Sequence, residues 1–364
     1  MRRILLIVLI VLGVGLLTWH VYSSQLLNSQ EALYYDKLPG KKVQCRLCPW
    51  QCVISRGELG FCRARKNIAG TLIALGYGAP CSIHIDPIEK KPFFNYYPAA
   101  EAFSIASAGC NLRCKFCQNW EIAQVSPLNT DNFNLSPREI INQVIKEKCQ
   151  VIAYTYSEPT NFYEYMLDIC KLARNRGIKN VYHSNGYINP EPLKELCKYL
   201  DAANIDLKGF SEDYYQKICG AHLQPVLDSL VILKQKGIWL EITNLIIPRE
   251  NDRPEDIRKM CQWIVANLGR DVPIHFSRFY PTYQLKNASP TPIKTLEMAR
   301  EIALKEGLHY VYIGNVVGHP GENTYCPKCQ KVIIKRVGYA VLEKHITNGL
   351  CAYCGTAIAG KWSL

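Results

Sequence analysis

The sequence predicts an α/β fold: a partial (β/α)6-type barrel with a cysteine-rich module at its amino end and a zinc-ribbon-like module at its carboxyl end. Three observations predict it. From Phe103 onward, short strand-like apolar runs alternate with amphipathic helical stretches, the pattern of parallel strands joined by helical crossovers. About six or seven such units are visible, too few for a closed eight-unit barrel. Finally, most of the 17 cysteines fall into three clusters, two of them outside the alternating region.

Taken in order, residues 1–24 read as a membrane anchor. Ile4 to Leu17 is apolar apart from two glycines, Arg2 and Arg3 precede it, and Trp19 and Tyr22 follow at interface positions. No small-residue cleavage site follows, so the segment reads as a retained single-pass anchor. Residues 25–98 form the cysteine-rich module, which has few periodic segments. The barrel occupies residues 99–320: FSIASAG is its first strand, SPREIINQVIKEKC its first helix, then the strands VIAYTYS, NVYHSNG, AANIDLKG, WLEITNLIIP, PIHFSRFYP and YVYIGNV follow with helical stretches between them. Residues 321–364 carry CPKC and CAYC around a strand-rich stretch.

The net charge is +12, but lysines and arginines are scattered, which describes a solvated basic surface. Neither a dense basic stripe nor RNP-like aromatics supports nucleic-acid binding. In so large a chain, C-x2-C clusters point to metal binding in a reducing compartment rather than to disulfides. Cys81, Cys149, Cys170, Cys197, Cys219 and Cys261 stand apart from the clusters, mostly in helix-like apolar patterns, and read as inert buried thiols.

The central cluster is Cys110, Cys114 and Cys117 in GCNLRCKFCQNW. Three thiolates at C-x3-C-x2-C spacing can each hold one iron of a 4Fe-4S cluster, and with no fourth cysteine close in sequence one iron keeps an open position. Open positions are where metal chemistry occurs, whereas zinc takes four ligands in two close pairs. Polar groups gather at the other strand ends: Glu158 after the second strand, Asn185 after the third, Asp206 and Lys208 after the fourth, with His275, Ser277 and Arg278 late in the sheet. Glu158 suits an ammonium, Asp206 ribose hydroxyls, and Lys208 or His275 a carboxylate, which together match a zwitterionic nucleoside.

The runs IDPIEKKPFFNYYP, SAGCNLRCKFCQNWEIAQ, YTYSEPT, SNGYI, NIDLKGF, LIIPREND, IHFSRFYPTYQL and VYIGNV resemble the AmmeMemoRadiSam-system radical SAM enzymes, relatives of the pyruvate formate-lyase activating enzymes. The resemblance runs from about Val43 to the carboxyl terminus. It implies that S-adenosylmethionine (SAM) binds the open iron and that the reduced cluster cleaves it to a 5′-deoxyadenosyl radical, which abstracts hydrogen from a substrate the sequence does not name. It also implies that Asp206, Leu207 and Lys208 lie on SAM, with His275 the matching late histidine; of the family's GGE-type motif, YSEP keeps the glutamate, Glu158. An electron donor such as flavodoxin or ferredoxin follows as a partner, and the substrate is either a protein or a small molecule. One of the two end modules is expected to cover the barrel mouth and exclude water.

Cys45, Cys48, Cys52 and Cys62, at C-x2-C-x3-C-x9-C, are expected to share one metal, either a structural zinc or an auxiliary iron-sulfur cluster. Cys326, Cys329, Cys351 and Cys354 read as a zinc ribbon. Arg2 and Arg3 favour an outside catalytic domain, Lys37, Lys41 and Lys42 oppose it, and the supply of SAM and low-potential electrons places it in the cytosol. The competing functions are a glycyl-radical enzyme activase, a membrane-bound iron-sulfur electron carrier and an RNA-modifying enzyme.

Overall fold

The structure, a computed structural model, describes residues 30–363. At its centre is one eight-stranded sheet, β1 (Ser82–Pro87), β2 (Glu101–Ala106), β3 (Val151–Tyr154), β4 (Lys179–Ser184), β5 (Ala202–Asp206), β6 (Trp239–Ile246), β7 (Ile274–Arg278) and β8 (Val311–Gly314), paired in that order. Strands β2 to β8 run parallel, and β1 pairs antiparallel with β2. The end strands β1 and β8 do not pair with each other, so the barrel is open. Crossover helices α1 (Pro137–Lys146), α2 (Tyr163–Arg174), α3 (Pro190–Leu196), α4 (Gln224–Gln235), α5 (Pro254–Asn267) and α6 (Ile293–Lys305) each join one parallel strand to the next. The expected six-unit partial barrel is thus a mixed sheet.

The parallel strands read as continuous apolar runs because helices cover one face while the other turns inward. Val151–Tyr154 is buried at every position, and α1 lays Ile140, Ile141 and Val144 on the sheet. Helix α1 starts at a capping box: the Ser136 hydroxyl accepts from Glu139 N at 3.4 Å, and the Glu139 carboxylate accepts from Ser136 N at 2.7 Å.

The expected module boundary at residue 98 moves. Strand β1 belongs to the sheet, and the segment Ile88–Ala100 that follows it lies against the barrel interior, where Phe94 N and Asn95 N donate to the Glu241 carboxylate at 3.0 and 2.9 Å. Before β1, two small antiparallel sheets (Tyr35–Leu38, Lys42–Cys45, Val53–Ile54 and Gln30–Glu31, Thr71–Ala74, Arg65–Ile68) pack on α2. Their anchor is a buried ion pair in which Arg65 Nη2 contacts both Glu164 oxygens at 2.7 and 2.8 Å. Removing either partner would strand a buried charge, at a cost of about 3–5 kcal/mol.

The carboxyl-terminal strands Thr324–Tyr325, Val332–Val337 and Ala340–Lys344 form a third small sheet. It packs Cys326, Ile333 and Ile334 against Phe94, Tyr310 and Tyr312, at the amino ends of the barrel strands. This part of the chain therefore does not cover the face where the strands' carboxyl ends gather, and the expectation of a carboxyl-terminal lid is corrected.

The membrane assignment is also corrected. Among the described residues no helix is long and apolar enough to cross a membrane. The longest, α5, has 14 residues and a polar face, whereas a span takes about 20 apolar residues. Residues 1–24, on which the single-pass anchor rested, lie outside the described residues.

Candidate functional site

The loop after β2 carries the cysteines. Gly109 enters it at φ +106°, and a Cβ there would stand 2.7 Å from the Cys62 carbonyl oxygen, so only glycine allows this approach. Gly109→Ala should lower both stability, by more than about 1 kcal/mol, and iron loading; thermal melts and iron analysis of the reconstituted chain check it. Within the loop, Leu112 N points at Cys110 Sγ from 3.4 Å, and the Arg113 and Lys115 amides donate to the carbonyls of Cys219 and Ile218.

Asn185, after β4, braces this loop. Its side-chain amide donates to Asn111 Oδ1 at 2.9 Å and lies 3.8 Å from Cys110 Sγ, while Asn111 donates to the Tyr187 carbonyl at 2.7 Å. The turn that presents Asn185 is organised by Glu158. That carboxylate accepts from Thr160 N (3.0 Å), Thr160 Oγ1 (2.7 Å), Ser184 Oγ (2.7 Å) and Asn185 N (2.9 Å), and it is 1% exposed. Burial raises its pKa above the ordinary carboxyl value. Where the sequence predicted a ligand ammonium on Glu158, the structure shows both carboxylate oxygens bonded to protein donors, three on one oxygen and one on the other.

Asp206 and Lys208 come together as expected. Lys208 Nζ lies 2.9 Å from Asp206 Oδ2, and His183, which the sequence reading passed over, lies 3.2 Å from Asp206 Oδ1. The three side chains are part-exposed at adjacent strand ends, and Lys208 sits 5.7 Å over the Phe116 ring of the cysteine loop. Burial alone would raise the Asp206 carboxyl, but Lys208 and His183 outweigh it and hold it well below the usual range. A depressed folded pKa stabilises fully above the unfolded value of about 4 and is lost as pH falls below it. The stability gap between wild type and Asp206→Asn should therefore narrow on acidification through about pH 4, as urea titrations would measure; a gap independent of pH would contradict the pairing. Leu207, between them, is wholly buried, and its carbonyl accepts from Asn244 at 2.6 Å. Its side chain belongs to the core rather than to an open site.

His275 is separated from this group. It sits at the amino end of β7, 2% exposed, with Nε2 2.7 Å from Glu241 and its ring between Phe94 and Tyr312. Those partners occupy the strand amino ends, so the expectation that His275 joins Lys208 is corrected. Arg278 spends its Nε on the Thr291 carbonyl at 2.8 Å, and Ser277 packs against Gly314.

The sequence reading also missed Cys219. The irregular turn Tyr215–Cys219 brings its thiol into hydrogen-bond contact with Cys114, which this contact pulls below the ordinary thiol pKa, while burial pushes Cys219 well above it. No local spacing announces that meeting.

The donor set fits an iron-sulfur cluster with SAM beside it. Three sulfurs follow one strand end, an amide N–H points at one of them, and a cation-carboxylate-imidazole group lies across Phe116. The carboxyl-terminal set is tighter: Cys326 and Cys354 sulfurs stand 3.6 Å apart, Cys329 and Cys351 3.8 Å, and all four gather within 4.8 Å.

Residues 104–264 match the family described as Radical SAM superfamily. An uncharacterized protein of Methanocaldococcus jannaschii is 49% identical over 331 residues, which cover 90% of this chain and 98% of that protein. The pyruvate formate-lyase-activating enzyme of Clostridium pasteurianum is 26% identical over 169 residues, covering 44% of this chain and 67% of that enzyme. Among solved structures, a radical SAM methyltransferase from Sphaerobacter thermophilus aligns at a TM-score of 0.49 and 11% identity, covering 62% of this chain and 71% of its own.

Proposed function

Because the chain belongs to the radical SAM superfamily, we propose that Cys110, Cys114 and Cys117 hold its 4Fe-4S cluster and that SAM lies between this loop and the Asp206–Lys208–His183 group. The observation that carries the reading is the position of that part-exposed, charged group across Phe116 from the cysteines. When bound, the cluster supplies one electron that splits SAM into methionine and a 5′-deoxyadenosyl radical able to take hydrogen from carbon. The chain's own residues position and exclude. Lys208 would pair with the SAM carboxylate, Asp206 would accept ribose hydroxyls with His183 fixing its direction, and Asn185 would hold the cysteine loop in place.

Lys208→Met should weaken SAM binding by about tenfold to a hundredfold, the worth of one charge-assisted contact, while iron content stays unchanged. Titrating SAM against the electron paramagnetic resonance (EPR) signal of the reduced cluster measures it, and an unaltered affinity would remove Lys208 from the site.

The finer reading is an AmmeMemoRadiSam-system enzyme supplied by a flavodoxin or ferredoxin. A second reading, an activase that draws hydrogen from a glycine of a partner enzyme, is favoured by the similarity to the Clostridium activating enzyme. SAM cleavage with and without such a protein separates the two. We read residues 321–363 as a zinc ribbon, since sulfurs 3.6 and 3.8 Å apart match one tetrahedral ion with bonds of about 2.3 Å. Zinc analysis of the whole chain should find that ion, and Cys351→Ser should lose it.

A further inference from the structure

The amino-terminal cysteines have no place in that reading. Cys45, Cys48, Cys52 and Cys62 line one pocket, whose wall also includes Arg65 and Asn161. One feature of the pocket points to a cluster rather than a single ion, and a second supplies donors for its sulfurs.

The first is spacing. A tetrahedral zinc with sulfurs at about 2.3 Å holds them about 3.8 Å apart, the separation seen between Cys329 and Cys351. Among the described residues, only the four carboxyl-terminal cysteines gather three or more metal-binding side chains within 4.8 Å. The four amino-terminal thiols share a pocket, yet no three of them stand within 4.8 Å of one another. Cys110, Cys114 and Cys117 are spread in the same way.

The second is a pair of orphaned donors. Arg65 Nε and Asn161 Nδ2 are buried with no hydrogen-bond partner, on residues only 1% and 2% exposed. Leaving such donors unpaired is costly, and the cysteine sulfurs as placed do not satisfy them. Metal-bound thiolates accept N–H groups, and an iron-sulfur cluster adds inorganic sulfides that accept N–H···S hydrogen bonds as well.

We propose that Cys45, Cys48, Cys52 and Cys62 hold a second four-iron, four-sulfide cluster, closed by its four thiolates, with sulfides bonded by Arg65 Nε and Asn161 Nδ2. A closed cluster has no position for SAM and serves electron transfer. Its seat abuts the first cysteine loop: Trp50 Nε1 donates to the Asn111 carbonyl at 2.7 Å, Arg113 donates to the Phe61 carbonyl and lies 3.9 Å over the Phe61 ring, and the Cys62 carbonyl meets Gly109. A one-electron protein donor, itself oxidised by one electron, would reduce this cluster, which returns to its oxidised state by passing the electron to the cluster at Cys110.

The test uses the full chain, reconstituted anaerobically with iron, sulfide and zinc together. Wild type should hold about eight iron and about one zinc. The Cys110→Ala, Cys114→Ala, Cys117→Ala triple variant should keep about four iron and a reduced-state EPR signal that SAM does not alter. Asn161→Leu should keep all the iron but shift one reduction potential to more negative values, because a hydrogen bond to sulfide favours the reduced state. Wild type with about two zinc and only about four iron, all lost in the triple variant, would overturn the proposal, and that count needs no variant of the amino-terminal pocket. An Asn161→Leu potential identical to wild type would overturn the sulfide bond. Whether SAM perturbs the wild-type signal is a separate reading that reports on the Cys110 site alone.

Discussion

Replacing Cys110, Cys114 and Cys117 together by alanine should leave a folded chain in which SAM cleavage falls to the background rate. The effect should be total because no other group can hold an iron with an open position at that strand end; the Cys219 thiol beside Cys114 is one sulfur, not three. The fold should survive, since the loop is held by contacts that do not involve sulfur: Asn111 to Tyr187, Trp50 to Asn111, and the Arg113 and Lys115 amides to the turn at Ile218 and Cys219. Circular dichroism and zinc content should match wild type. Product analysis for 5′-deoxyadenosine supplies the activity readout, and its continued formation would remove these cysteines from the mechanism.

Glu158→Gln should produce the largest stability loss of any single isosteric change near the site. One carboxylate oxygen accepts from three donors and the other from Asn185 N, so either orientation of the glutamine amide turns an N–H group toward at least one donor. Charge-assisted bonds are worth about 1.5–3 kcal/mol each, and a stranded donor costs about 1–3 kcal/mol, so a net loss of about 2–5 kcal/mol is expected after the relief of burying a charge. Because the displaced segment presents Asn185 to the cysteine loop, iron loading should fall with stability. Urea unfolding beside iron analysis measures both. A variant as stable as wild type, with full iron and weakened SAM binding, would instead return Glu158 to direct contact with SAM.

The barrel was legible because its signals are local: a buried strand and an amphipathic helix each show their period within a dozen residues. The three cysteine groups were legible for the same reason. What failed was position along a strand. His275 and His183 both sit on inward-facing strands, but β7 meets the Ile88–Ala100 segment at its amino end, so its histidine goes to Glu241, while His183 lies near the carboxyl end of β4 and reaches Asp206. The donors around Glu158 were not legible in its own run, because Ser184 and Asn185 come from the next strand. Cys219 was unreadable in principle, because its approach to Cys114 depends on the turn Tyr215–Cys219.

The barrel's closed end depends on contacts between residues 94–97 and the carboxyl-terminal residues. Asn95 donates to the Ala359 carbonyl, Lys361 N donates back to the Asn95 carbonyl, and Tyr97 N donates to the Lys361 carbonyl. Arg336, buried, reaches the Phe94 carbonyl at 2.7 Å. On a ribosome, Asn95 would emerge long before Ala359, and the polar backbone around Phe94 and Asn95 would have to wait for partners not yet made. The cysteine loops above draw most of their described bonds from residues 30–235, with one later contact from Gln284 N to the Lys115 carbonyl. The base, built from contacts of the longest sequence separation, is therefore expected to close late in folding.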